Sequence, residues 1–223
     1  DFVAYPRLSG DGKQLAWIEW NHPSMPWDAT TLKTAVLDAR GMPGKATIVA
    51  GGDRAVLEPQ WGRDGTLYYI DEPSGWWNLY ATRDGKTRAL APMAREFGGA
   101  LWTLGNQSYV VADGGQVYAR SSRDAVDELA RIGVESGDYR RIDAPFVNFG
   151  DLSLDRHGRL IAIASAATDE PVLVAIDPQD GQVQRLHQAK GRQAVTGEPL
   201  WIEGHVHGVV GAADRVDIAG TRH

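Results

Sequence analysis

Apolar positions along this chain come in short runs, each closed by a polar turn rich in Asp, Gly, Pro or Ser. The clearest unit runs from Pro59 to Tyr80: Pro-Gln-Trp-Gly-Arg-Asp-Gly-Thr-Leu-Tyr-Tyr-Ile-Asp, a short loop, then Trp-Trp-Asn-Leu-Tyr. Arg63-Asp64-Gly65 suits a tight turn, because Gly takes positive φ freely and Asp can bond to its own backbone. The aromatic and β-branched run Leu67 to Ile70 predicts a strand buried on both faces. Glu72-Pro73-Ser74-Gly75 breaks the run, and Trp76 to Tyr80 is expected to open the next strand. A second turn at Arg83-Asp84-Gly85 leads into Thr87 to Leu90. The whole unit predicts a compact antiparallel meander.

Versions of the unit recur. Pro6 to Ile18 has the same order of Pro, Asp-Gly turn (Asp11-Gly12) and apolar run, followed by Leu32 to Leu37 and Ala46 to Ala50. A weaker copy is read at Leu101 to Asn106, then Tyr109 to Ala112, Gln116 to Arg120, Leu129 to Val134 and Tyr139 to Ile142. A fourth copy runs from Leu152 through the turn at Gly158 to Ile163, with Val172 to Ile176 and Val183 to Leu186 completing it. First-turn glycines read at Gly12, Gly65, Gly105 and Gly158 lie 53, 40 and 53 residues apart, and last-turn glycines at Gly85, Gly137 and Gly181 lie 52 and 44 apart. Four short strands per period of about 40–50 residues mark propeller blades. An immunoglobulin-like sandwich has short strands too, but does not repeat one turn–run–turn unit four times. The expected fold is all-β, a partial β-propeller of about four four-stranded antiparallel blades, at approximately 2–50, 55–92, 97–144 and 147–189. Such an arc leaves sheet faces uncovered, so it is expected to belong to a larger ring. Residues 190–223 do not repeat the pattern and read as a tail, a linker or the start of another element, with Leu200-Trp201-Ile202 and Val206 to Val210 as possible strands.

Composition narrows the partners. A chain of 223 residues is long enough to bury roughly 70% of its unfolded surface. The net charge of −6 weighs against nucleic acid or an anionic membrane as the main partner. The absence of cysteine excludes disulfides and thiolate metal sites. No apolar run approaches the ~20 residues of a membrane helix. The N-terminus, Asp1-Phe2-Val3-Ala4-Tyr5-Pro6, shows neither an initiator Met nor a signal peptide. The expectation is a section of a larger cytoplasmic protein.

Three loops are more specific than the repeat: Trp20-Asn21-His22-Pro23-Ser24-Met25-Pro26-Trp27-Asp28, Ser74-Gly75-Trp76-Trp77-Asn78-Leu79-Tyr80, and Leu90-Ala91-Pro92-Met93 with Glu96-Phe97-Gly98-Gly99. Together they resemble the propeller of bacterial serine peptidases of the prolyl oligopeptidase family, in its dipeptidyl and acylaminoacyl aminopeptidase branch. The resemblance covers Phe2 to about Leu186 and is strongest up to Trp102. Gly10 and Gly62 stand where that family has a turn proline, and Lys33-Thr34 where it has a Trp-Val-like pair. The resemblance implies a non-catalytic propeller that caps a separate α/β-hydrolase domain in cis, admits short peptides and excludes folded proteins. No serine here lies in a Gly-x-Ser-x-Gly turn, so no catalytic residue is assigned to this chain. No cofactor is expected.

The candidate substrate-binding residues are His22, Trp27, Trp76 and Trp77. The stiff His22 to Asp28 loop either touches peptide side chains or packs the blade corner. Trp76 and Trp77, read as strand neighbours, point to opposite faces, so at least one belongs to the core. Glu58 and Glu96 are carboxylates of the kind that pairs with a peptide ammonium, although nothing in the sequence orients them inward. Asp11, Asp64, Asp84 and Asp180 read as turn formers. His205 and His207 have a spacing that places two imidazoles on one face of a strand, without an identifiable third ligand. Two other readings stand beside the peptidase propeller. One is a stand-alone interaction scaffold. The other is a lactonase-type enzyme with channel calcium, for which Asn106, Asn148 and Asp151 are the available ligands.

Overall fold

The computed structural model describes residues 1–188, which form four antiparallel sheets and no helix. Blade 1 is β1 (Phe2–Leu8), β2 (Gln14–Trp20), β3 (Thr31–Val36) and β4 (Thr47–Gly51). Blade 2 is β5 (Val56–Trp61), β6 (Leu67–Asp71), β7 (Asn78–Arg83) and β8 (Lys86–Ala89). Blade 3 is β9 (Tyr109–Ala112), β10 (Gln116–Arg123), β11 (Val126–Gly133) and β12 (Tyr139–Ile142). Blade 4 pairs the short β13 (Asn148–Phe149) and β14 (Ser153–Leu154) with β15 (Leu160–Ser165), followed by β16 (Val172–Ile176) and β17 (Val183–Gln188). Within each sheet, strands adjacent in sequence pair with one another, except that β13 and β14 both pair with β15. Blades 1 and 2 meet where β5 packs against β1, β2 and β3, and blades 3 and 4 where β14 packs against β9 and β13 against β11. This is the arrangement of a partial β-propeller.

Burial follows position in the arc. Every residue of β6 is buried, because blade 2 has a neighbour on both faces. One apolar core joins the first three blades and a second joins blades 3 and 4. At the ends of the arc apolar side chains lie open: Val3 and Ile48 on blade 1, Ile163 and Leu173 on blade 4. His205 and His207, with the predicted tail strands, lie outside the described residues.

Two sequence expectations are corrected. The first turn of blade 3 is not at Gly105 but at Gly114-Gly115, both at positive φ, between β9 and β10. The first-turn glycines are therefore Gly12, Gly65, Gly115 and Gly158, spaced 53, 50 and 43. The strand expected from Trp76 begins only at Asn78. The Trp77 backbone is engaged by the segment leading to blade 3, its N–H donating to Glu96 Oε2 at 2.8 Å and its carbonyl accepting from Phe97 N–H at 2.7 Å.

Each junction between blades is fastened by one buried polar side chain at or beside the start of the third strand. Thr30 Oγ1 accepts from Val56 N–H at 2.6 Å and donates to Val56 C=O at 2.7 Å. Asn78 Oδ1 accepts from Met93 N–H at 2.7 Å, and its amide donates to the Met93 carbonyl at 3.0 Å. Asp127 Oδ2 accepts from Phe149 N–H at 3.0 Å, while its own N–H donates to Val147 C=O. The three positions lie 48 and 49 residues apart, a tighter period than the turns keep. Gly51 is required at the first junction: it sits at positive φ, and a Cβ there would lie 2.1 Å from Thr30 C=O.

The first strands share a second device. Each is interrupted partway along its length. In blades 1 and 2 the interruption is a bulge at Tyr5-Pro6 and Glu58-Pro59, with Tyr5 and Glu58 at positive φ, and in blade 4 it lies between Phe149 and Ser153. Blade 3 expands it into a loop, residues 97–108, between Glu96, bridged to Ser122, and Tyr109, paired with Ala119. Side chains from the other three interruptions hold this loop. Tyr5 Oη accepts from Gly105 N–H at 3.0 Å, Asp151 Oδ1 from Gln107 N–H at 2.8 Å, and Glu58 Oε2 from Ser108 N–H at 2.6 Å. Ser108 Oγ donates to the other Glu58 oxygen at 2.9 Å, and Tyr109 Oη donates to the Glu58 carbonyl at 2.6 Å. Burial pushes the Glu58 carboxyl above the usual carboxylate range, against the bonds from Ser108 and the charge of Arg120. Burial likewise pushes the Tyr5 hydroxyl up to about 12.

Two outcomes follow. Asn78→Ala strands buried backbone groups and is expected to cost about 2–4 kcal/mol in urea unfolding of the chain; a loss below about 0.5 kcal/mol would remove Asn78 from the junction. A raised folded-state pKa means the native state holds the Glu58 proton more tightly than the unfolded chain. The stability this contributes is complete below the unfolded carboxylate pKa of about 4.3 and is lost as pH rises through the folded value. Wild type should therefore lose stability relative to Glu58→Gln as pH rises from about 4 towards 7, read as thermal midpoints; parallel curves would contradict this.

Candidate functional site

The antiparallel meander places the β2–β3 loop, the β6–β7 loop and the segments joining successive blades on one rim of the arc. Most sequence-derived candidates therefore share this rim, on different elements. The β2–β3 loop is shaped by turns in which Asp28 Oδ2 accepts from Met25 N–H at 2.9 Å and Asp28 N–H donates to Met25 C=O. Pro26 is buried beneath it. His22 is exposed, and only its backbone N–H is engaged, by the Asp1 carboxylate.

Trp27 is half-buried and contacts Trp102, at the tip of the 97–108 loop, with ring centroids 4.2 Å apart and planes tilted by 41°. Trp102 is 78% exposed, and Leu104 and Met25, on the same two loops, are also open. This pair links blade 1 to the loop from blade 3 across the inner side of blade 2. Residue patterning does not single out Trp102, because Leu101 to Asn106 has the pattern of a strand and turn of the repeat.

Trp76 and Trp77 part company. Trp76 is exposed on the loop, whereas Trp77 packs against the core with its indole N–H buried and without a protein partner. Neither carboxylate considered for an ammonium is free: Glu58 is bonded by Ser108, and Glu96 accepts from the Trp77 backbone. Near Glu96, Arg95 donates to Ser121 and faces Glu128 at 3.5 Å. Tyr139 donates to that same Glu128, and burial followed by this bond pushes its hydroxyl up to about 12.

The turn aspartates behave as the sequence predicts. Asp11 accepts from Ser9 Oγ and Lys13 N–H, Asp64 from Thr66, and Asp180 from Gln182 N–H, while Asp84 takes positive φ. Asp155, in the first turn of blade 4, accepts from His157 N–H and Arg159, and is lowered to about 2 by these bonds. Of the calcium candidates, Asp151 is engaged with Gln107, and among the described residues no group of three or more His, Asp or Glu side chains is arranged to hold a metal.

No protein-family model matches the sequence, and no curated protein matches it. Among solved structures, it is similar to a puromycin-hydrolysing peptidase of Mycobacterium tuberculosis, with 30% identity and a TM-score of 0.78 over 84% of this chain and 29% of that one. A puromycin hydrolase mutant complexed with PGG matches with 29% identity and a TM-score of 0.78, over 87% of this chain and 30% of its own. TolB of Acinetobacter baumannii matches with 13% identity and a TM-score of 0.59, over 83% of this chain and 43% of its own, a likeness of fold alone. This chain thus spans about 30% of the length of the peptidases it matches. The chain is a four-bladed section of a β-propeller similar to that of the puromycin-hydrolysing peptidases, members of the prolyl oligopeptidase family.

Proposed function

We propose that this chain is part of the substrate-filtering propeller of a serine peptidase acting on short peptides, working with an α/β-hydrolase domain in the same polypeptide. The similarity to a puromycin-hydrolysing peptidase over 84% of the chain carries the reading. The exposed aromatic and His side chains on one rim are consistent with it. The described residues contain no serine in a nucleophile turn, so the propeller's contribution is selection: it limits which chains reach the nucleophile and holds part of the ligand. His22, Trp27 and Trp76 are the rim residues assigned to substrate contact, while Trp77, the fourth candidate, packs against the core.

Contacts that hold substrate and transition state equally well change KM and leave kcat nearly untouched. In the polypeptide that carries the hydrolase domain, Trp76→Ala should raise KM for tri- and tetrapeptides by about threefold to tenfold, with kcat within about twofold. The check is steady-state hydrolysis of a peptide length series. A reading frame without a Gly-x-Ser-x-Gly domain, or variants indistinguishable from wild type on all lengths, would overturn the proposal.

A further inference from the structure

We infer that Trp102, presented by the 97–108 loop and backed by Trp27, is a binding site for an aromatic or large apolar side chain of a short peptide. The inference takes the class of ligand from the functional reading above and adds the residue that selects among such ligands.

The mount is the first reason. Trp102 sits on a loop that reaches from blade 3 to blade 1, and Tyr5, Glu58 and Asp151 hold it through the N–H groups of Gly105, Ser108 and Gln107. Gly98 lets the loop leave closely over the core, where a Cβ would lie 3.2 Å from both Ile70 and Leu57. A side chain displayed from a base fixed in this way loses little conformational freedom when a ligand arrives.

The shape of the pair is the second reason. Aromatic pairs prefer offset-stacked or edge-to-face arrangements. Trp27 and Trp102 are close, at 4.2 Å, yet tilted by 41°, so the planes diverge into a wedge. With Trp102 78% exposed, one face of its ring is left to solvent.

Scale is the third. A stable protein–protein interface takes about 20–30 residues on each side. The open apolar side chains on these two loops are Met25, Trp102 and Leu104, with Trp27 half-buried against Trp102, which suits one ligand side chain better than a docked domain. Thr103 and Asp28, on the same two loops, are exposed polar residues.

The test is a titration of the 15N-labelled chain, read at the tryptophan indole N–H signals, with Phe-Gly-Gly and with Gly-Gly-Gly. The Trp27 and Trp102 signals are expected to move saturably with Phe-Gly-Gly and to stay in place with Gly-Gly-Gly. Trp102→Ala should weaken binding at least about fivefold, and Trp102→Phe should keep most of it. The inference is overturned if neither signal moves, if both peptides move them alike, or if Trp102→Ala binds as wild type does. A neighbouring reading frame lacking a hydrolase would end the peptidase assignment and leave this titration standing. An active peptidase whose indole signals stay still would remove only the Trp102 site.

Discussion

The described structure depends on a convergence: side chains at the interrupted first strands of blades 1, 2 and 4 all bond to one loop from blade 3. Adjacent blades would pack through apolar faces whatever this loop did. Blades 1 and 3, however, are not neighbours, and the Tyr5–Gly105 hydrogen bond and the Trp27–Trp102 contact join them directly. Glu58 is the most constrained member. It sits at positive φ, is 2% exposed, and spends both carboxylate oxygens on Ser108. A buried carboxylate is tolerable only when its acceptor capacity is used, so the loop and the bulge stabilise each other.

The blade junctions work by a related logic on a smaller scale. Apolar burial is non-directional and tolerates sliding of one sheet over the next. Thr30, Asn78 and Asp127 remove that freedom, because a displaced junction would leave several buried polar groups without partners. The same chemistry is met by three different residue types, since each accepts an incoming backbone N–H. Asn and Thr also donate to a carbonyl through the side chain, whereas Asp127 uses its own backbone N–H.

Much of this fold was legible in the sequence. The Asp-Gly turns, the doubly buried run Leu67 to Ile70 and the period of the unit are local features that survive into three dimensions. Blade 3 departs from the repeat. Leu-Gly-Asn at Leu104 to Asn106 mimics the turn of the repeat, whereas Asp113-Gly114-Gly115 forms it. The true first strand is split by the 97–108 insertion, and a periodic template has no place for an excursion in mid-strand. Trp76 and Trp77 carried strand propensity, but the pairing of Trp77 with Glu96 and Phe97 overrode it. The junction residues were invisible for another reason: a polar residue at the mouth of a strand is ordinary, and only its partners reveal that it is buried. Trp27 was legible as a stiff aromatic loop residue, whereas its partner Trp102 was hidden by the misplaced repeat.

The arrangement turns a set of rim loops into a surface of fixed geometry. The most direct test of the account is native-state hydrogen exchange at Gly105, Gln107 and Ser108. These amides belong to no strand, yet the account predicts protection comparable to that of β6 and β10, with Ser108 released when Glu58 is replaced by Ala. Exchange of all three at the rate of an exposed turn amide, in the otherwise folded chain, would contradict it.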